Sequence, residues 1–465
     1  MAEQTMGKPQ AQRIQLLKVL GPAHVWALGV GIVLVGEFMG WNYAVGKGGA
    51  YGALIACWVI GLLYTCVAMI DSEITSTVAA AGGQYAQAKH TIGPLMAFNV
   101  GLYLVLAYTM LEAGDIQVAG QLIQIGIGEL GSNVNWEPFT ILCLAILAWL
   151  NYRGVFMTLT VNFVITAAAF LTIIILFVGL QPWNPRAIMH HADLLTDLPY
   201  GWLGVIAAFH FGIWFYLGIE GTCQAAEEVR SPGRALPLGT MTGIITLLIA
   251  AGLTWYVSVG MLPWEYLGWD LTLAPLFDTA RVSGSKFLHV ALFVGTLFSA
   301  IASANGCIND AARAWFSMGR DRYLPQWFGA VHPRYRTPYR SIVFLIPIAA
   351  IFALWVPLAQ IITFSILSGL LNYTFMPINM WNFRNKWPIG SIRRGFEHPF
   401  HPLPAAVLLS LCIVTFFAVY LGYGRQLLAM MAFYIIASLW FHFRRYRYVR
   451  RGDQFTMAWP KPLGY

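Results

Sequence analysis

Charge is what this sequence has least of. Only 10% of its 465 residues are Asp, Glu, Lys or Arg, against about 25% in an ordinary soluble domain. That shortage argues against a chain wetted on most of its surface. With 58% apolar residues, it also excludes intrinsic disorder. The six cysteines (Cys57, Cys66, Cys143, Cys223, Cys307 and Cys412) have no C-x-x-C spacing, and the ten histidines show no metal-ligand spacing. Neither a redox pair nor a zinc site is indicated. H-E-x-x-H and G-x-S-x-G are missing too, so the common hydrolase signatures are gone and nothing calls for a cofactor or a metal.

What is there is a succession of long apolar runs. A helix needs about 20 mostly apolar residues to cross about 30 Å of hydrocarbon. Twelve stretches qualify: 22–45, 51–72, 94–125, 137–151, 157–180, 201–222, 237–260, 287–309, 340–356, 358–380, 403–422 and 425–443. Their length selects helices over a barrel, whose strands are about 10 residues long with alternating polarity. The expected fold class is therefore an all-α membrane protein of twelve transmembrane helices. Residues 1–21 are polar and basic and lack an A-x-A-like cleavage site, so the first span is expected to be retained.

The basic residues orient the bundle. If the N-terminus is cytoplasmic, all of the 28 lysines and arginines fall on that side except Lys47, Arg186, Arg281, Lys286 and Arg425. This positive-inside bias places both termini in the cytoplasm. It also accounts for the net charge of +8 without nucleic acid. Arg444-Arg445-Tyr446-Arg447, opening the basic tail 444–465, reads as an anchor beside anionic lipid.

No lysine or arginine falls in the middle of a span, but acids do. Glu37 lies in the first, Glu112 and Asp115 in the third, and Glu220 near the end of the sixth. An ionisable group inside a membrane is costly and is a functional candidate by default. Glu112 and Asp115 are three apart and share a helix face. Acids without a protein cation point to a bound cation, a proton, or both. Asp71, Glu73 and Asp310, at span ends, are expected to be solvated or paired with arginine. His190-His191 reads as a solvated loop pair and His210 as a satisfied core histidine.

Two acids are bracketed by glycines: Gly36-Glu37-Phe38-Met39-Gly40 in span 1 and Gly218-Ile219-Glu220-Gly221 in span 6. Matching interruptions in two halves point to a transporter of inverted repeats that binds substrate at broken helices. The repeats would be 22–180 (spans 1–5) and 201–380 (spans 6–10), with 403–443 (spans 11 and 12) added.

Three further blocks carry a family resemblance. Ser72-Glu73-Ile74, Ala81-Gly82-Gly83-Gln84-Tyr85 and Gly93-Pro94 form the first. Phe215-Tyr216-Leu217-Gly218-Ile219-Glu220 running into Ala226-Glu227-Glu228-Val229-Arg230-Ser231-Pro232 and Leu236-Pro237 forms the second. Arg313, Arg320-Asp321-Arg322-Tyr323-Leu324-Pro325, His332-Pro333 and Thr337-Pro338 form the third, and Asn151-Tyr152-Arg153-Gly154 adds a weaker match. In this order they resemble the amino acid–polyamine–organocation superfamily of permeases. Within it, the first-span run V-G-E-F-M-G-W-N most resembles the ethanolamine permease group.

The resemblance implies a five-plus-five inverted repeat with discontinuous helices 1 and 6, alternating access, and substrate between spans 1, 3, 6 and 8. By position, Val35 and Gly36 match the end of the family's span 1 turn, Trp214 an aromatic gate, and Gly218 the span 6 break. Glu112 and Asp115 fall where members contact substrate. Two departures stand out. Leu34-Val35-Gly36 replaces G-S-G, and Ala167, Ala168 and Ala169 occupy the region of a span 5 lysine that serves some members as a proton switch.

The reading is a secondary transporter of the plasma membrane, not an enzyme, for a cationic organic amine or amino acid, coupled to H⁺ or Na⁺. Glu37, Glu112 and Asp115 would neutralise the ammonium group, with Trp214 and Tyr216 closing over it. Protons would ride on Glu37, Glu112, Asp115 or Glu220. Ser299 and Ser303 are candidates for a sodium ion. An exchanger of the same fold and a transporter-like sensor stand as alternatives.

Overall fold

The computed structural model describes residues 16–180, 198–269 and 275–449. Residues 1–15, Arg186, His190-His191 and the tail beyond 449 lie outside them. Among the described residues, fourteen α-helices form in chain order. They are α1 (Pro22–Met39), α2 (Trp41–Thr77), α3 (Gln84–Thr91), α4 (Pro94–Glu129), α5 (Glu137–Arg153), α6 (Val155–Gly179) and α7 (Gly201–Gly212). Then follow α8 (Pro232–Met261), α9 (Trp264–Trp269), α10 (Pro275–Val282), α11 (Lys286–Arg320), α12 (Tyr339–Trp355), α13 (Leu358–Lys386) and α14 (Leu403–Trp440). Prolines open α1, α4, α5 and α8, where the missing N–H would have had no partner within the helix anyway.

Nine helical segments among the described residues are long and apolar enough to cross a membrane. The twelve expected stretches reduce to these in two ways. Stretches 137–151 and 340–356 are α5 and α12, each of 17 residues. Stretches 403–422 and 425–443 fall in the single run of α14, interrupted at Tyr423 (φ −140°, ψ 35°). Gly422 and Gly424 flank that interruption, and the polar Arg425 follows it. The boundary of spans 1 and 2 lies inside α2, at Gly49 (φ 71°).

α1 sits at the centre, packed on α6, α8 and α11; α2 packs on α7 and α8, and α4 on α11 and α13. The faces turned outward are apolar, with Leu142, Val164, Ile245, Ile351 and Ile436 exposed. Lipid tails solvate such side chains, so polar groups collect inside and must find partners there. One chain of amides does so across four helices. Asn151 donates to Asn305 (2.8 Å), Asn305 to Asn162 (3.2 Å), and Asn162 to the Ala27 carbonyl (3.1 Å).

Candidate functional site

The site forms where two helices stop. Beyond α7 the chain leaves α-geometry at Ile213 and regains it only at Pro232. Three short 3₁₀ turns, Ile213–Phe215, Ile219–Cys223 and Ala226–Glu228, fill the gap. Gly218 (φ +117°) makes the reversal, and a Cβ there would stand 2.2 Å from the Ile32 side chain. This is the break expected at Gly218. The span 1 interruption falls at the second of the two glycines that bracket Glu37. Val35, Gly36 and Glu37 remain helical, and α1 ends at Met39, with Gly40 between it and α2. Gly36 serves close approach instead of unwinding, since a Cβ on it would lie 2.3 Å from the Trp214 carbonyl oxygen. Small residues let the two broken segments meet at backbone distance.

Around these breaks the buried acids form separate groups. In the first, Ser303 on α11 contacts the Asp115 carboxylate of α4 and the Ile32 carbonyl of α1, the latter at 2.5 Å. One hydroxyl carries one hydrogen, so both contacts are satisfied only when Asp115 itself brings a proton or a cation joins them. Asp115 Oδ1 and both oxygens of Glu112 are buried without a protein partner. Trp214 is likewise buried, with its indole N–H unpartnered. Ser299 bonds back to the Thr296 carbonyl of its own helix (2.7 Å), the ordinary behaviour of a hydroxyl on a membrane helix.

The second group surrounds Glu220. Tyr373 of α13 donates to one carboxylate oxygen (2.5 Å), the Gly218 N–H to the other (3.1 Å), and Tyr64 of α2 donates to Tyr373 (3.1 Å). Asp71 and Asp310 are not at solvated ends. Both are fully buried: Asp71 is held by Gln84 (2.6 Å) and Gln87 (2.9 Å), and Asp310 by Asn309 (2.9 Å). Sequence reading missed them as interior groups because the helices carrying them extend well past the apolar runs.

Glu37 is not brought to the Asp115 group. Its neighbours are Thr254 of α8, whose hydroxyl lies 3.2 Å from Glu37 Oε2, and through it Trp41. Tyr216 faces the same way, its hydroxyl 3.3 Å from the Cys57 thiol and its ring 5.7 Å from Tyr64. The substrate set expected from sequence therefore divides. Asp115 gathers with Ser303 and the α1 backbone, while Glu37 and Tyr216 belong to the α2 and α8 side. His210 is a core histidine as expected, but only half satisfied: Nε2 lies 3.3 Å from the Thr363 hydroxyl, while Nδ1 is buried without a partner.

The end of the bundle that carries most of the basic residues is closed by ion pairs. Arg313 meets Glu228 at 2.5 Å, Arg320 meets Glu227 at 2.9 Å, and Lys89 meets Asp321 at 3.0 Å. Glu73 is paired with Arg384 (2.6 Å) and Arg394, as one of its two expected states required. Burial holds the Glu228 carboxyl above its ordinary value, with the Arg313 charge only partly opposing the shift. The N-terminal segment joins the same end, where the Val19 and Leu20 N–H groups donate to the Glu228 carbonyl (2.8 and 3.0 Å).

An apolar-faced helical bundle with buried acids grouped around interrupted helices has the build of a membrane carrier. The chain belongs to the amino acid permease family, whose model matches residues 23–452. It is 68% identical to an uncharacterized transporter of Rhizobium meliloti (strain 1021) over the whole of both chains. It is 25% identical to the methylthioribose transporter of Bacillus subtilis (strain 168), over 87% of this chain and 89% of that one. It is 24% identical to the vacuolar cationic amino acid transporter 4 of Arabidopsis thaliana, over 78% of this chain and 63% of that one. The chain is a multi-pass membrane transporter of the amino acid and amine class and not an enzyme.

Proposed function

We propose that this protein is a proton-coupled secondary transporter of the plasma membrane that moves a cationic organic amine or amino acid by alternating access. It crosses the membrane twelve times as a five-plus-five inverted repeat with two added spans, both termini cytoplasmic. The observation that carries the reading is the pair Glu112 and Asp115, fully buried with three of four oxygens unpartnered. The names of the relatives range over methylthioribose and cationic amino acids, so the charge of the solute is argued from this chain's own acids. A substrate ammonium offers three donors to oxygens that have none. A free carboxylate on the substrate is repelled by the same pair, which favours amines without one or with an additional positive charge. Gly218 and Trp214 at the span 6 break, with Val35 and Gly36 on the facing turn of α1, frame the site.

The test is counterflow in liposomes together with a thermal-shift screen, using ethanolamine, putrescine and arginine as probes. Asp115→Asn is expected to abolish the thermal shift and the counterflow of the wild-type substrate while leaving the unliganded melting temperature near its original value. Wild-type behaviour of both Asp115→Asn and Glu112→Gln would sink the reading. Sodium coupling has one observation in its favour, the meeting of hydroxyl, carbonyl and carboxylate oxygen at Ser303. Hard oxygen ligands of that kind suit an alkali cation. Accumulation driven by a sodium gradient at uniform pH would select it.

A further inference from the structure

The structure points to a proton site distinct from the amine site. We propose that Glu37 carries the coupling proton, held as a neutral acid by Thr254 on a face of α1 whose partners are separate from those of Asp115. The inference rests on the proton-coupled reading above and names its carrier.

Hydrogen-bond valence supplies the argument. The Trp41 indole N–H donates to the Thr254 hydroxyl oxygen at 2.9 Å. That oxygen lies 2.9 Å from the Ala250 carbonyl one turn back, 3.2 Å from the Ala251 carbonyl and 3.2 Å from Glu37 Oε2. A threonine hydroxyl has one hydrogen and two acceptor positions. Its hydrogen goes to the nearer Ala250 carbonyl, which can only accept. Trp41 fills one acceptor position, so the remaining contact is complete only when Glu37 donates. With the proton on Glu37, the contacts of Thr254 and Trp41 are all satisfied, and the unpartnered Oε1 is the oxygen of a neutral acid. With Glu37 charged, its Oε2 competes with the backbone carbonyls for the one Thr254 hydrogen, and Oε1 becomes a charged oxygen bare in a dry site.

The surroundings supply no compensating charge. The titratable groups lying against Glu37 are the Cys57 thiol of α2 and the Tyr216 phenol of the span 6 break, which engage each other. On α11, Asp310 and Arg313 bond to Asn309 and Glu228. On α7, His210 bonds to Thr363. α10, which packs on α1, carries Asp278 and the exposed Arg281, α2 carries the exposed Lys47, Glu220 of the span 6 break is held by Tyr373 and the Gly218 N–H, and α6 carries no charged residue. Among the described residues, no salt bridge is made to Glu37.

The placement couples protonation to movement. Glu37 lies between Gly36, packed against the Trp214 carbonyl, and the α1 break at Gly40, while Thr254 and Ala250 belong to α8. Separation of α1 from α8 removes the acceptor for the acidic hydrogen and lets water reach the carboxyl, so the proton leaves to the side that has opened. Closure requires it back.

Two readouts test this. Infrared difference spectra of the purified, ligand-free protein at neutral pH are expected to show a protonated-carboxyl band in the wild type that Glu37→Gln lacks. A difference confined to the carboxylate region would overturn the proposal. Should that variant misfold, Thr254→Val retains the carboxyl and removes its acceptor, so the band should titrate away at lower pH than in the wild type. An unchanged or higher midpoint counts against it. In liposomes, Glu37→Gln is expected to retain amine exchange and the thermal shift but to lose accumulation driven by a pH gradient. Loss of the thermal shift would make Glu37 a substrate ligand, and intact accumulation would remove it from coupling. A wild type that ignores the pH gradient also refutes the proposal. The amine reading fails separately, on Asp115→Asn.

Discussion

At the scale of single residues, what decides a polar group's role is the partner it meets after packing. His398 is an example outside the spans. Its backbone N–H donates to Glu73 Oε2 (3.0 Å), and burial lowers the imidazole pKa below the ordinary value of 6.5, with the Glu73 charge only partly opposing the shift. His401 is lowered for the same first cause, followed by the Arg384 charge. A depressed histidine contributes stability that is present above pH 6.5 and is lost as pH falls through its folded value. The melting temperature of the purified protein is therefore expected to fall on acidification below that point, and His398→Gln should flatten the fall. An identical slope in the variant would show that other groups carry it. Asp115 and Glu37 make the same point inside the bundle. Both are buried acids on membrane helices, and what separates them is the partner, Ser303 and the α1 backbone for Asp115 and Thr254 for Glu37.

At the scale of elements, the 3₁₀ segment between α7 and α8 links the site to the closed end. It carries Trp214, Gly218 and Glu220 at the break, then Cys223, and finally Glu227 and Glu228 in the ion pairs with Arg320 and Arg313. Cys223 is buried and accepts from the Thr75 hydroxyl (3.2 Å). Removing one partner of a buried ion pair typically costs about 3–5 kcal/mol, because the other charge is left alone. Glu228→Gln should therefore open this end and speed alkylation of Cys223, read by mass spectrometry, with buried Cys412 as the internal control. Equal labelling of Cys223 in wild type and variant would show that the Arg313 pair does not hold the end shut. The span 6 break was legible beforehand because Gly218 sits in a motif and its φ of +117° is one that glycine adopts freely. In span 1 the boundary falls at Gly40, one of the two glycines that bracket Glu37, and not at Gly36. A glycine in a helix has two uses, unwinding and close approach, and only the neighbour at Gly36, a carbonyl oxygen, tells them apart.

At the scale of the whole molecule, the ion-paired loops, the N-terminal segment and most basic side chains gather at one end. If that end is cytoplasmic, a membrane-impermeant thiol reagent should label Arg281→Cys in intact cells and leave Arg334→Cys unlabelled until the membrane is permeabilised. The opposite pattern would invert the topology. Both positions are exposed, so access to the side of the membrane, not burial, governs the outcome.

The sequence by itself determined that the chain lives in lipid, roughly where its apolar helices run, which blocks ally it with the permeases, and that the charges in the middle of its spans are acidic. These follow from local composition and spacing, because the cost of burying charge and the length of a membrane crossing apply residue by residue. Tertiary structure alone decided that Glu37 faces Thr254 while Asp115 faces Ser303, that Asp71 and Asp310 are interior groups, and that Gly36 accommodates a backbone. Helical periodicity assigns a residue to a face. Which helix lies against that face depends on contacts between spans far apart in the chain, and no local pattern encodes them.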